Sequence, residues 1–543
     1  MQKNFLLFIL SMVTIATSAQ QPIRVACIGD GMTSGTGMAN REKNNYPAQL
    51  QNMLGSGYTV RNFGTDSSFI SGNNSRSWRQ ALQYRPDVVL VGFGNIPGGS
   101  GLNAAMHEYQ ELVRVFGALH ENPRIVLLLP PVLPADSLRV TETFAREIRR
   151  AALLTGNETV DLHQLMAEKQ EFFQDKTHLS SLGATVIARR LYETVKMQPV
   201  GGINIFIPLN AKQDNKGFPG YRSGLFTWKG TTGRAIRPQR AAKGLPWAWL
   251  TGEPYDTLTA VALLERGFHI ICSQDTLPEL RKKMLAKGFS GHVPIVRPGT
   301  PLSAALQAAG RKINFAALPA PGSEYRSGAG WKEGKDWWAQ HADIDSLLHA
   351  SRNLDVLFIG NSITQGIGGH RTGTTYRPGF AVFDSILKGL SWECAGISGD
   401  RTQNVLWRLQ NGSYRHAAPK LAVLTIGVNN FPDDGPEEVA EGIKTILGWL
   451  RTNMPATRVI LIGPLPAGLT KDEMRRIKYD RTQAIISQFR ITGVTYLPLA
   501  ETFIQPDGNI NRRLYSNDGI HLLPAGYRAW AQALAPVIDR ELK

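Results

Sequence analysis

Cysteine is scarce in this chain: Cys27, Cys272 and Cys394 are the only three in 543 residues. They form no CxxC pair and stand at no ligand spacing from histidine. A disulfide scaffold or a zinc module is therefore not expected, and no metal site of any kind is assigned. Long apolar runs are also missing. Beyond the first twenty residues no segment reaches the roughly eighteen uninterrupted apolar positions of a membrane-spanning helix. Acid is in deficit, with 44 Asp and Glu against 60 Lys and Arg and a formal net charge of +16. That balance suits nucleic acid, an anionic surface or an acidic substrate as partner. With 42% hydrophobic and 19% charged residues, a mostly disordered chain is excluded. The length allows three or four domains of about 150 residues.

What is present begins with a leader. Lys3 precedes an apolar run from Phe5 to Ala16, and Thr17-Ser18-Ala19 supply small residues before Gln20. This is the pattern of a secretory signal peptide over residues 1–19. No cysteine follows the cleavage point, so a bacterial-type lipid anchor is not expected. An exported protein, periplasmic or secreted, has no nucleic acid partner and, here, no stable membrane anchor. Glycans, envelope polymers and anionic lipids remain, beside the plain alternative that the surplus charge only aids solubility.

The chain repeats itself. Ile23 to Ile28 is a β-rich run ending in Gly29-Asp30-Gly31, and Leu354 to Ile359 is another ending in Gly360-Asn361-Ser362. Each reads as a buried parallel strand entering a tight turn and then a helix. A glycine-bearing turn follows in both, at Asn62-Phe63-Gly64 and Gly396-Ile397-Ser398-Gly399. A third strand ends in glycine at Gly94 and at Gly427. Both copies close on Asp-x-x-His, at Asp175/His178 and Asp518/His521. The expected division is 20–200 and 351–543 for the two copies, with a different segment, 201–350, between them. Strands alternating with helices predict α/β sandwiches with a parallel sheet.

The central segment is rich in glycine, proline and aromatic residues. Between Lys212 and Lys243 it carries eight Lys/Arg and one acid, Asp214. That stretch reads either as a solvated basic loop or as a face for an anionic ligand. Leu263 to Ile271 reads as helix, glycine stop and strand. With Trp247 and Trp249 it faintly resembles the early part of an α/β-hydrolase fold, in truncated form. The elbow motif G-x-S-x-G is absent, since Gly288-Phe289-Ser290-Gly291-His292 has the wrong spacing. The segment is read as non-catalytic.

The chemistry concentrates in the C-terminal copy. Ser362 stands between strand and helix, at the sheet edge where ligands bind in such folds. A serine hydroxyl needs a base, which His521 can supply, and Asp518 can hold that imidazole's tautomer. Donors for a tetrahedral oxyanion are the Ser362 N–H, the Gly399 N–H and the Asn429 amide. Four ordered blocks, Gly360-Asn361-Ser362-Ile363-Thr364, Gly396-Ile397-Ser398-Gly399-Asp400, Gly427-Val428-Asn429-Asn430 and Asp518-Gly519-Ile520-His521, resemble the SGNH (GDSL-type) esterase superfamily. The run Gly399 to Leu409 is similar to its platelet-activating-factor acetylhydrolase branch, and bacterial carbohydrate O-acetylesterases share the fold. The resemblance implies flavodoxin-like three-layer sandwiches and a Ser362–His521–Asp518 triad with those oxyanion donors. It implies no cofactor. Asn361 departs from the aspartate common in the family. Tyr376, Arg377, Asp400 and Arg401 are candidate substrate contacts. Taken singly, Ser362 also serves as a helix cap, Asn429 as a turn residue and His521 as a surface histidine; the order of the blocks outweighs this.

The N-terminal copy looks disarmed. Gly31 occupies the nucleophile position, and alignment puts Ser67 and Ile96 where the oxyanion glycine and asparagine belong, with Asn95 beside the latter. Thr33 and Ser34 lie too far along the turn to substitute. The expected function is an exported serine esterase removing O-acetyl groups from a carbohydrate. Alternatives are a lipid or phospholipid acyl-ester hydrolase and a glycan-binding pseudo-esterase.

Overall fold

The computed structural model describes residues 21–66, 75–94, 101–132, 138–167, 170–201, 204–214, 217–252, 255–274, 276, 278–310, 312–322, 326, 328–333 and 335–543. Five parallel strands build the first sheet: β1 (Ile23–Gly29), β2 (Tyr58–Gly64), β3 (Val88–Gly92), β4 (Arg124–Leu129) and β5 (Glu158–Asp161), in the order β2-β1-β3-β4-β5. Runs such as VVLVG and RIVLLL are buried throughout, because helices cover both faces of a parallel sheet. Successive side chains of one strand point to opposite faces. Val25 and Cys27 thus enter one core with the helices Tyr46–Leu54 and Ser181–Lys196, while Ala26 and Ile28 enter the other.

At the end of the first copy β6 (Pro199–Val200) pairs with β10 (Ala241–Ala242) of the central segment, which also supplies β7 (Lys212–Gln213), β8 (Arg222–Trp228), β9 (Thr231–Arg237), β11 (Trp247–Thr251), β12 (His269–Ser273) and β13 (Ile295–Val296). Six of these form a mixed sheet, β13-β11-β12-β9-β8-β7, parallel from β13 to β12 and antiparallel beyond. The helix Thr257–Leu264, the turn at Gly267 and β12 follow the order read from the sequence. Gly267 has φ +79°, and a Cβ there would strike the Ala242 backbone. Ser290 lies in a loop, its hydroxyl bonded to the His292 carbonyl, and not at a strand–helix elbow. The basic stretch forms β7 to β10, and its charges are partly spent in ion pairs: Arg234 with Asp214, Arg240 with Glu158 and Lys229 with Glu279.

The third sheet repeats the first: β14 (Val356–Gly360), β15 (Trp392–Gly396), β16 (Leu421–Thr425), β17 (Arg458–Leu461) and β18 (Val494–Tyr496), ordered β15-β14-β16-β17-β18 and all parallel. Two flavodoxin-like sandwiches therefore flank a smaller α/β segment. One boundary differs from the expected 351. The helix Trp337–Ala350 sinks Trp337, Ile344 and Leu348 into the C-terminal core, so that unit starts before residue 351. The three cysteines are buried in three separate cores. No described helix is long and apolar enough to cross a membrane.

Candidate active site

The strand order of the third sheet reverses at β14, between β15 and β16, and such a switch point opens a crevice at the carboxyl ends of the strands. Gly360 pairs with Gly396 on one side and Thr425 on the other, so three loops emerge side by side. A Cβ on Gly360 would meet the Thr425 carbonyl, and only glycine permits that approach. Asn361 is buried, and its Oδ1 accepts the Ile363 N–H at 3.0 Å, capping the short helix Ser362–Gln365. In the N-terminal copy Asp30 does the same for Met32. The departure to asparagine thus keeps the cap that aims Ser362.

The Asp-x-x-His segment folds by its own hydrogen bonds. Asp518 Oδ1 accepts the backbone N–H groups of Ile520 and His521, at 2.9 and 3.0 Å, and the Ser516 hydroxyl at 2.6 Å. Its Oδ2 lies 2.5 Å from His521 Nδ1, and His521 Nε2 lies 2.9 Å from Ser362 Oγ. Partial burial alone would raise the Asp518 carboxyl. The bonds from Ser516, His521 and the backbone outweigh it and hold the group well below the ordinary carboxylate range. A hydroxyl, an imidazole and an ionised carboxylate in this relay can pass a proton from oxygen to nitrogen while the carboxylate stays charged.

The three oxyanion candidates come from the three loops. The Ser362 and Gly399 N–H groups have no protein acceptor among the described residues. Asn429, in the one-turn helix Val428–Asn430, donates one amide hydrogen to the Asp400 carbonyl at 2.9 Å. Its second hydrogen remains for a ligand. The cleft holding Ser362 and His521 measures about 580 Å³ and is lined by Arg326, Gly328, Ala329, Gln365, Tyr376 and Ser398 among others. Leu522, Ala329 and the rings of Tyr376 and Tyr527 supply its apolar part.

Of the four substrate-contact candidates, Tyr376 alone lines this cleft, at 60% exposure. Arg401 lines the adjoining cavity and is ion-paired with Asp433 at 2.5 Å. Asp400 is a correction. It is 1% exposed, pairs with the fully buried Arg408 at 2.7 Å and accepts the Trp337 indole N–H, so its carboxylate is consumed below the site. Burial raises that carboxyl, against the pull of Arg408. Arg408 also donates to the Gly360 and Ala395 carbonyls, bracing the ends of the two strands that carry the site. Arg377 is not among the residues lining this cleft; exposed, it lies over the Phe380 ring and donates to the Gly369 carbonyl.

Residues missed in the sequence come from the segment before the catalytic unit. Gln365 accepts the Trp331 indole N–H at 2.8 Å and donates to the Ala329 carbonyl at 2.7 Å, while Thr375 N–H donates to Gly330. These bonds fasten residues 329–331 beside Ser362. Arg326 then lies against Gly399, where a Cβ would collide with its guanidinium. Gly399 has φ +85°, and the glycine serves both the turn and this contact. An arginine in a Gly/Ser-rich run was the available signal, but nothing linear ties it to Gly399.

In the N-terminal copy the Asp175–His178 pair has the same geometry, Nδ1 to Oδ2 at 2.8 Å, with Oδ1 accepting the Thr177 and His178 N–H groups. No hydroxyl stands at Gly31. Thr33 is buried and donates to Gly92, and Ser34 donates to Asp66. Ser67, Asn95 and Ile96 lie outside the described residues.

A serine–histidine–aspartate relay at the switch point of a flavodoxin-like sheet defines an ester hydrolase of the SGNH class. The GDSL-like Lipase/Acylhydrolase family profile matches residues 27–186 and 358–529, more than half of the chain, and the protein belongs to that family. Platelet-activating factor acetylhydrolase IB subunit alpha2 of Rattus norvegicus is 29% identical over 212 residues, covering 39% of this chain and 87% of the relative. The alpha1 subunit of Homo sapiens is 33% identical over 192 residues, 35% of this chain and 77% of the relative. A GDSL-like lipase from Bacteroides thetaiotaomicron is similar in structure at 18% identity and TM-score 0.28, over 34% of this chain and 87% of that one.

Proposed function

We propose that this protein is an exported esterase that removes O-acetyl groups from a carbohydrate. The observation that carries the reading is the 2.9 Å approach of His521 Nε2 to Ser362 Oγ inside a cleft of mixed polar and apolar lining. Ser362 Oγ attacks the acetyl carbonyl carbon as His521 takes the hydroxyl proton. Asp518 keeps the imidazole oriented and stabilises its charged form. The Ser362 and Gly399 N–H groups and the Asn429 amide receive the oxyanion. Its collapse expels the sugar oxygen, which takes the proton from His521. Water, deprotonated by the same histidine, then releases acetate from Ser362. A cleft of about 580 Å³ is of ordinary ligand size and accepts a sugar ring with its acetyl group. The leader-like pattern of residues 1–19 supports export.

A second reading, an acetyl ester carried by a lipid, draws on the names of the relatives. Acetate release from acetylated oligosaccharides, beside nitrophenyl esters of two to twelve carbons, separates the two. A buried methylene adds roughly 0.8 kcal/mol where an acyl channel exists. Under the carbohydrate reading kcat/KM falls beyond short acyl groups; a steady rise with chain length overturns it.

A further inference from the structure

Beside the catalytic cleft lies a second cavity, and its far wall belongs to the other copy. Thr185, Val186 and Arg189 on the helix Ser181–Lys196 of the N-terminal sandwich face Ser398, Gly399 and Arg401 of the C-terminal one. Arg326 and Ser398 line both cavities, so the second opens directly beside the Gly399 oxyanion donor. The wall is held in place by several contacts. The Trp338 indole N–H donates to Asn44 at 2.9 Å, Trp407 donates to Asn52 at 3.2 Å, and Lys43 lies over the Trp338 ring. Phe315 packs between Tyr192 and Arg189 and is tied to the catalytic unit through the Thr402 hydroxyl and the Ala316 carbonyl.

The charges in this cavity are unequal. Of its carboxylates, Asp400 is neutralised by Arg408 and Asp433 is paired with Arg401. Arg189, half-buried, lies over the Phe315 ring at 5.0 Å and forms no ion pair among the described residues. Burial lowers its proton affinity, while Asp434 and Asp433 pull the other way through space. A partly desolvated guanidinium without a carboxylate is costly to hold, and an incoming anion relieves that cost. The guanidinium fork matches a planar carboxylate in two parallel hydrogen bonds. Asp433 on the facing wall opposes a phosphate dianion more than it opposes a monoanion.

We propose that this interdomain cavity is an anion subsite, in which Arg189 of the N-terminal copy receives the carboxylate of an acidic sugar, in a cavity that Arg326 and Arg401 also line, while the O-acetyl group of the substrate sits at Ser362. The inference rests on the esterase reading and narrows its substrate to acetylated acidic glycans. It also gives a role to the copy without a nucleophile, which forms the recognition wall of its partner's cleft.

The test uses the full chain. In a Ser362→Ala background, trigalacturonate and neutral galactotriose are titrated calorimetrically, which needs no turnover. The acid trimer binds at least tenfold more tightly, the scale of one charge-assisted contact, and the difference vanishes at about 0.5 M salt. Arg189→Met keeps the packing on Phe315 and removes the charge; it abolishes the preference, while Arg189→Lys retains part of it. With native Ser362, the kcat/KM ratio of acetylated trigalacturonate over acetylated galactotriose falls about tenfold in Arg189→Met, through KM. Equal binding of the two trimers, or a preference that survives Arg189→Met, overturns the subsite. A glycerophosphate acetyl ester outranking the acid sugar overturns the choice of carboxylate. Absence of turnover on every ester, with binding selectivity intact, counts against the esterase reading alone.

Discussion

Asn429 separates catalysis from stability more cleanly than any other residue of the site. Its amide makes one protein hydrogen bond, to the Asp400 carbonyl at 2.9 Å, and under the proposed mechanism it is one of three oxyanion donors. Asn429→Ala removes that bond, worth about 1 kcal/mol to folding. In a unit of this size that lowers Tm by only about 2–4 °C. In the transition state it removes a third of the preorganised donors. The measured cost of one such donor is about 3–4 kcal/mol, or 10²–10³ in kcat. KM moves little, since the donor acts on charge that develops after binding. Asn429→Asp is worse, because its carboxylate meets both the oxyanion and the Asp400 carbonyl. The assay is steady-state hydrolysis of nitrophenyl acetate, with thermal unfolding and fluorophosphonate labelling of Ser362 as controls. A loss below tenfold in kcat, with Tm unchanged, refutes the placement of Asn429 in the oxyanion site.

Ser362→Ala and His521→Ala each abolish turnover, and the double variant is no worse than either single, because the relay acts as a unit; kinetics of the three variants check this, and additive losses contradict it. Activity is lost in acid, since the base must be neutral to take the Ser362 proton. Asp518 does not shape that limb: its carboxyl is depressed in the folded state, so its stabilising contribution is present above its unfolded value and fades only as pH falls below ~4. The loss of activity at pH 5 should therefore be fully reversible, with unchanged circular dichroism. Gly31→Ser in a Ser362→Ala background stays inactive on nitrophenyl acetate, although the Asp175–His178 pair is correctly arranged. Turnover that His178→Ala removes would show that this copy lacks nothing but its nucleophile.

The two Asp-x-x-His segments, the strands ending at Gly29 and Gly360 and the parallel α/β sandwiches were legible in the sequence because their causes are local, whereas the third strands stop at Gly92 and Thr425, short of the expected Gly94 and Gly427. A strand buried on both faces must be a continuous apolar run, as in VLFIG and VVLVG. The aspartate of D-G-I-H folds the turn by accepting the N–H groups two and three residues on. The loops that carry Ser362, Gly399 and Asn429 start at the ends of neighbouring strands, so strand order alone brings them together. Asp400 and Arg401 are adjacent in the chain and look alike as substrate contacts. Burial decided between them: Asp400 faces inward onto Arg408, and Arg401 stays at the mouth. Arg326 reaches the cleft from a preceding segment, and Arg189 reaches the adjoining cavity from the other copy. Their positions depend on Gln365, Trp338 and Phe315 packing across long sequence separations. Composition and spacing determined the chemistry of this protein, because a catalytic relay is built from short hydrogen-bonded turns. The walls of its cleft were decided only by the tertiary structure, because docking between domains leaves no periodicity in a sequence.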